Sequence, residues 1–479
     1  MKIFRNKFIR STGIYFMGSV ASKMIVFLML PLYTAYIPPQ DFGMYDLYVS
    51  IATIVLYCVC FDIWTAVMRY MYDEESIEGK KKVITNGGVI TLLALIVYLL
   101  VFLLINTFIQ IEYITLIICY GIATLGVNFY SFTARGYGKN KIYVISGTVA
   151  TVVNILTNII LIVVFDFDYS ALYYSSIIAF IVQIAILELK CNIIKGMCFK
   201  YISIIRIKEM LRFGIPLAFN AIAYWILSSF NKAVVTMELG PEYNGYYAAA
   251  TRFGVAITLF SSCIQFAWQD KVFSESSEKV DYSRQCSIYV YILAATSILL
   301  IPFIKVIFPY MVGITYTPAL SIIPAMVIST IFSVFSSFLG EIFSGIKKTT
   351  GLLYTSIFAA VVNVFVVYCL INVIGLNAAN LAMLAGFGAS IILRYIMINR
   401  YVKLQFKYKI FLLFYIPILA VTIQLFYNSS VVINLIYLIV LAIASSAYLF
   451  FKYKNEIFGD IASGNKVIKL FEKFLFARK

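Results

Sequence analysis

Three cations, Lys23, Lys232 and Arg252, lie inside long apolar runs of this sequence. A Lys or Arg at the centre of a bilayer costs about 2.5–3.5 kcal/mol on insertion scales, so each marks a binding site or a pathway by default. Their chemistry suits phosphate oxygens, which arginine takes two at a time and lysine meets as a compact point charge. Polar side chains run beside them at helical spacing. Thr12, Tyr15, Ser19 and Ser22 accompany Lys23, and Asn220, Tyr224, Ser228 and Asn231 accompany Lys232. Tyr247, Thr251, Thr258, Ser262, Gln265 and Gln269 flank Arg252, and Asp46, Ser50, Thr53 and Tyr57 form a fourth stripe. Spacings of three, four and seven put each set on one side of its helix. Single Ser and Thr residues also glue membrane helices together. That role does not account for the cations.

Depth separates the three. At about 1.5 Å per residue, Lys23 lies ~18 Å into its helix, Arg252 ~12 Å from the outer end and Lys232 ~9 Å. The apolar core is roughly 30 Å thick, so Lys23 is near its middle and Lys232 is within snorkelling reach of the surface. Asp62 and Glu341 fall towards the cytoplasmic ends and Asp46 towards the outer end, so no carboxylate is placed clearly level with Lys23 and Arg252. The sequence therefore favours a hydrated cationic cavity that receives an anion over a structural ion pair. Asn231, Gln265, Tyr224 and Ser50 are candidate polar contacts in that cavity. Pro216, two residues after Gly214, removes a helical hydrogen bond and marks a candidate hinge or a fixed bend.

The elements that must position these residues are membrane helices. Of 479 residues, 62% are hydrophobic and 13% charged, where a soluble chain carries about 25% charge. Runs long enough to cross a bilayer, roughly 20 residues each, recur from end to end. A barrel would need alternating strands of about ten residues. Instead the pattern predicts an all-α polytopic membrane protein with about fourteen helices, near 12–36, 43–67, 83–109, 113–133, 142–165, 170–189, 210–237, 245–268, 286–309, 319–343, 351–373, 378–398, 410–427 and 432–451.

Lys and Arg cluster at the N-terminus, 69–82, 135–141, 190–208, 271–284, 347–348, 400–409 and the C-terminal tail, all on one side of the alternating topology. Opposite loops carry Asp41, Glu112, Asp166, Asp168, Glu238 and Glu242. The bias predicts both termini on the cytoplasmic side. The net charge of +16 is then mainly a topology signal, with a contribution towards anionic lipids; nothing else points to nucleic acid. The first apolar run is too long for a cleavable signal and is expected to remain as a helix. None of the eight cysteines falls in an outer loop, so no structural disulfide is expected. The tail 452–479 reads as a basic amphipathic segment along the inner membrane surface.

The chain repeats itself. At a shift of 202, Pro39 matches Pro241, Gly43 matches Gly245 and Tyr45 matches Tyr247. At a shift of 209, Gly136 matches Gly345 and Val152-Val153-Asn154 matches Val361-Val362-Asn363. Six helices separate the partners with sidedness kept, which predicts a parallel pseudo-two-fold repeat. The expected organisation is an N-lobe of six helices (1–190), a cytoplasmic linker (191–209), a C-lobe of six helices (210–400), helices 13 and 14 (401–451) and the tail. A central cavity lies between the lobes in this reading.

Ser22-Lys23, LPLYTAYIPPQDFGMYDL from Leu30, RGYGKNK at 135–141, LRFGIPLAFNAIAYWILSSFNK, GPEYNGYYAAATRF and QFAW together resemble the Wzx-type polysaccharide flippases. These export O-antigen, capsule and teichoic-acid units and belong to the multidrug/oligosaccharidyl-lipid/polysaccharide (MOP) exporter superfamily. The resemblance spans essentially the whole chain. It implies an alternating-access flippase that moves undecaprenyl-diphosphate-linked oligosaccharide across a bacterial inner membrane, with membrane lipids and other polysaccharide-assembly proteins as partners. Arg252, Lys23 and Lys232 would meet the diphosphate or acidic sugars. Many relatives carry an Asp-Arg pair where this chain has Asn231-Lys232, which puts the role of that acid in doubt here.

An ion-coupled multidrug exporter of the same superfamily is the alternative, although export of cations would favour intramembrane carboxylates. The chain has no histidine and only short outer loops, so an enzyme is not expected, and neither a metal site nor a cofactor is read from the sequence. No GxxxxGK[ST] phosphate loop is present, leaving H⁺, Na⁺ or the membrane potential as energy sources. The sugar, the coupling ion and the oligomeric state are not legible.

Overall fold

The computed structural model describes residues 27–274, 282–346, 349–404, 408–441 and 443. Lys23 and the polar stripe of the first helix, residues 275–281 of the 271–284 stretch, Lys347–Lys348 and the tail 452–479 lie outside the described residues. Among those described, the chain is helical with no strand. Ten helices are long and apolar enough to cross a membrane, and Tyr415–Asn428 and Val431–Leu441 are shorter apolar helices. Their surfaces are turned inside out relative to a soluble protein. On the Ile77–Phe108 helix, Leu92, Leu93, Ile96, Leu100, Leu103 and Leu104 are exposed while Asn86, Thr91 and Tyr98 are buried. Apolar side chains face lipid there, and polar groups find partners within the protein.

Helix boundaries follow local chemistry. Pro39 and Pro241 each open a helix, Pro39–Cys60 and Pro241–Ser274; proline at the first position loses no intrahelical bond because that N–H has no partner. Asp41 and Glu242 occupy the respective first turns, where a carboxylate meets the positive end of the helix dipole. Ser76 caps the Ile77–Phe108 helix by accepting from the Gly79 N–H at 2.9 Å.

Two helices expected to be continuous are interrupted. The 43–67 run breaks between Cys60 and Ile63, where Phe61 (φ 49°) and Asp62 (φ 51°) both adopt the left-handed conformation. Gly214 of the Ile204–Ser228 helix fits this break, since a Cβ there would overlap the Phe61 carbonyl. The 210–237 run breaks at Ser229 (φ −128°, ψ −21°), between Ile204–Ser228 and Phe230–Glu238. The helix runs through Pro216 without interruption. Apolar periodicity continues across both breaks, so hydropathy carries no sign of them.

The described chain divides into two compact units. One comprises Met1–Val255 with Val367–Ala379, the other Ala256–Val366 with Asn380–Lys479. In the first unit, the segment after Cys191 is strapped to the Ile77–Phe108 helix. Asn86 donates to the Tyr201 carbonyl (2.9 Å) and accepts from the Ser203 N–H (2.7 Å), and Thr85 accepts from the Cys198 N–H (3.2 Å). Arg206 then pairs with Glu74 at 2.7 Å beside Tyr70. In the second unit, Phe338 stacks between Trp268 (4.7 Å) and Tyr289 (4.3 Å), and Trp268 Nε1 donates to the Phe338 carbonyl at 3.3 Å. These offset ring contacts bury large apolar faces while the indole N–H keeps a partner.

Candidate functional site

The site begins at a helix crossing. Gly43 and Gly245 are the points of closest approach of the Pro39–Cys60 and Pro241–Ser274 helices. A Cβ on Gly43 would overlap the Pro241 carbonyl and lie 2.6 Å from the Gly245 nitrogen, and a Cβ on Gly245 would overlap the Pro39 carbonyl. Only glycine lets the two backbones approach this closely. Asn244 secures the crossing by donating to the Gly43 carbonyl at 2.7 Å.

Asp46 follows Gly43 by one turn, and Arg252 follows Gly245 by two. The crossing therefore sets their helix faces towards one another. Arg252 Nη2 lies 3.8 Å from Asp46 Oδ1. Lys232, from the Phe230–Glu238 helix, brings Nζ to 2.8 Å from Asp46 Oδ2. The three side chains are 10% (Asp46), 16% (Lys232) and 23% (Arg252) exposed. The Arg252 guanidinium also stands 5.8 Å from the centre of the Phe42 ring, a favourable cation–π position. Tyr33, Tyr45 and Tyr120 lie within electrostatic reach of it.

This overturns the expectation that Arg252 lacks an acidic partner. Asp46 is seven residues past Pro39, ~10 Å from that end of its helix, and Lys232 is about as far from the Glu238 end of its own. Lys232 meets a carboxylate at its own level rather than snorkelling outward. Arg252 sits deeper, but helical side chains lean towards the N-terminus of their helix. Here that is the Pro241 end, towards Asp46. Counting Cα positions alone hides this lean.

The pairing is incomplete. Two cations share one carboxylate, which leaves a single net positive charge. Three buried atoms in the cluster make no hydrogen bond: Arg252 Nε, Ser50 Oγ and Asp46 Oδ2, whose contact with Lys232 is a charge contact rather than an aligned hydrogen bond. A separation of 3.8 Å also places Arg252 beyond direct hydrogen bonding to Asp46. Such a cluster can accept oxygens from an anion.

Other residues singled out from the sequence fall at varied places. Ser50 lies one turn beyond Asp46, and its carbonyl accepts from Trp225 Nε1 at 3.0 Å. Tyr224, beside Trp225, is 46% exposed. Asn231 is fully buried and donates to the Ala379 carbonyl at 2.9 Å, with its own carbonyl oxygen unbonded. Gln265 is half-buried, donates to the Val334 carbonyl at 3.3 Å and belongs to the second compact unit. Gly214 serves a close backbone contact, as described above.

One buried cation escapes sequence reasoning. Arg394 is 5% exposed within the Asn377–Ile398 helix. Its Nε donates to Thr355 Oγ1 (3.1 Å), Nη1 to the Ser336 carbonyl and to Ser336 Oγ (2.9 Å), and Nη2 to Ser356 Oγ (2.9 Å). Ser336 Oγ in turn bonds Ser390 Oγ at 2.9 Å. Its proximity to Arg400 makes it read as an ordinary cytoplasmic helix end. The signal that singles it out is Ser390, one turn earlier on the same helix face, together with the Thr355-Ser356 pair.

Comparison with known proteins places this arrangement. A family model described as "Polysaccharide biosynthesis protein" matches residues 8–268. No curated protein matches the sequence. Among solved structures, the lipid II flippase MurJ in an inward closed conformation aligns with a TM-score of 0.67 at 15% identity, covering 92% of this chain and 99% of that one. An inward-facing multidrug resistance MATE family transporter of the MOP superfamily aligns with a TM-score of 0.65 at 14% identity, over 79% and 94% of the two chains. A MOP superfamily transporter from Pyrococcus furiosus, described as having reversed binding-pocket polarity, aligns with a TM-score of 0.52 at 16% identity, over 81% and 94%. At these identities the structural likeness speaks for the fold, and the family match speaks for the family. The chain belongs to the polysaccharide biosynthesis protein family and has the fold of the MOP exporter superfamily.

Proposed function

We propose that the protein is a flippase that carries undecaprenyl-diphosphate-linked oligosaccharide from the cytoplasmic to the outer leaflet of a bacterial inner membrane, by alternating access of two lobes (1–190 and 210–400). The observation that carries this reading is the Asp46–Lys232–Arg252 cluster, a net positive charge held among apolar helices with unused hydrogen-bonding capacity. A diphosphate brings the charge and the oxygens that such a cluster accepts. An exporter of cationic drugs would meet repulsion at the same point. Lys23 is a third cation for the same ligand on sequence grounds alone. Membership of a polysaccharide biosynthesis family supports a glycan-bearing cargo, and the sidedness of the Lys/Arg loops supports cytoplasmic termini.

Glycan and lipid analysis of a strain lacking the protein tests this. The expected result is accumulation of a lipid-linked oligosaccharide on the cytoplasmic side, with loss of the surface polymer and recovery on complementation. Normal surface polymer and no accumulated intermediate would contradict it.

A further inference from the structure

We propose that Asp46 is a built-in competitor for the transported anion, and that its return to Arg252 and Lys232 drives the anion off. The inference rests on the reading that this cluster receives a diphosphate. Asp46 already occupies, with its two carboxylate oxygens, the space between the cations that phosphate oxygens would take. It occupies that space imperfectly. The Arg252 separation of 3.8 Å, the unbonded Arg252 Nε and the unbonded Ser50 Oγ leave donors that a carboxylate of this reach does not satisfy.

A phosphate group has more oxygens, more charge and a geometry matched to the guanidinium fork, so it displaces Asp46 from Arg252. The displaced carboxylate stays tethered one turn from the Gly43 crossing, whose backbone contacts leave no room for the helices to part locally. It remains at high effective concentration next to the cations it has lost. A carrier must release its cargo as well as capture it. Asp46 weakens binding of the anion, and that weakening is what permits release.

Asp46 is thus a positioning residue with opposite effects on affinity and turnover. The test uses the full-length protein in lipid nanodiscs, with a short-chain polyprenyl diphosphate as probe and the matching prenyl alcohol as control for the tail. Asp46→Asn should bind the diphosphate about tenfold more tightly, as removal of one close charge coupling implies, with slower dissociation. In proteoliposomes it should flip the probe more slowly at saturation. Asp46→Glu, which keeps the charge, should retain wild-type or weaker affinity.

Should Asp46→Asn fail to fold, the double variant Asp46→Asn/Lys232→Gln keeps the wild-type net charge of the cluster. It should bind about tenfold more tightly than Lys232→Gln alone, by the same charge coupling. Equal or weaker binding in Asp46→Asn and in the double variant would overturn the inference. If Arg252→Ala binds the diphosphate as well as the wild type does, the underlying anion-site reading fails. If Arg252→Ala loses diphosphate binding while Asp46→Asn keeps wild-type affinity, only the competitor role fails.

Discussion

Gly43 and Gly245 lie where the Pro39–Cys60 and Pro241–Ser274 helices cross, and the backbone of the facing helix fills the space a Cβ on either would need. The contact is reciprocal, with Gly43 against Pro241 and Gly245 against Pro39. The four positions are those paired by the 202-residue shift in the sequence. Alanine at either glycine should disrupt the crossing, lowering stability by about 1–3 kcal/mol or more because the clash is with backbone. Gly147→Ala is the matched control, since its Cβ would meet only Gln183 Nε2 at 3.8 Å. Thermal unfolding in detergent should separate the variants clearly.

The charge cluster makes a second prediction. Removing one partner of a buried ion pair strands the other, at a cost of about 3–5 kcal/mol. Asp46→Ala strands both cations and should destabilise strongly, Lys232→Ala leaves Asp46 beside Arg252 and should cost less, and the double variant should lose less than the sum. A double-mutant cycle on melting temperature reads this coupling. Strict additivity would mean that the 2.8 Å contact contributes nothing.

Arg394 should behave as a structural clamp. It ties the Ile323–Gly345, Thr349–Ile374 and Asn377–Ile398 helices through Ser336, Thr355 and Ser356. Hydrogen bonds from a charged donor contribute about 1.5–3 kcal/mol each, so Arg394→Met should cost at least about 3 kcal/mol. Lysine should not rescue, because an ammonium cannot reach all four acceptor atoms in the guanidinium geometry. Expression level and melting temperature check both variants.

The helices and the candidate site were legible in the sequence to different degrees. Span positions such as 113–133 and 170–189 are close to Ile114–Gly136 and Ser170–Cys191 because hydropathy reports burial in lipid directly. The breaks at Phe61–Asp62 and Ser229 were not legible, since the apolar pattern runs on across both, and the fit of Gly214 against the Phe61 carbonyl is a tertiary contact. Lys232 and Arg252 were found by their cost in an apolar run. Their partner Asp46 was visible in the polar stripe but misjudged, because side-chain lean and the crossing at Gly43 are tertiary facts. Arg394 was hidden by its nearness to the Lys/Arg-rich stretch at 400–409.

An acid-sensitive clamp joins Tyr113 to the start of the Ser170–Cys191 helix. Asp168 accepts from the Ser170 N–H at 2.8 Å and from the Tyr113 hydroxyl. Burial pushes its carboxyl up, but the hydrogen bonds from Ser170 and Tyr113 outweigh this and hold its pKa below the ordinary 3.8. A lowered folded-state pKa contributes stability that is complete above the unfolded value and is lost as pH falls through the folded one. The junction between residues 109–113 and 165–170 should therefore loosen only below about pH 4. Hydrogen exchange at pH 7 and pH 3 should show this in the wild type, whereas Asp168→Asn should be loosened already at pH 7 and respond little to acid. The effect is modest because the group is largely solvated.

The central claim is that Arg252, poised beside Asp46, receives the diphosphate of a lipid-linked glycan. The most direct test is a leaflet-translocation assay in proteoliposomes with a fluorescent undecaprenyl-diphosphate oligosaccharide. Wild-type protein should move the lipid between leaflets, Arg252→Ala should lose at least about tenfold in rate while remaining folded, and Arg252→Lys should retain an intermediate rate. Full translocation by folded Arg252→Ala would contradict the account.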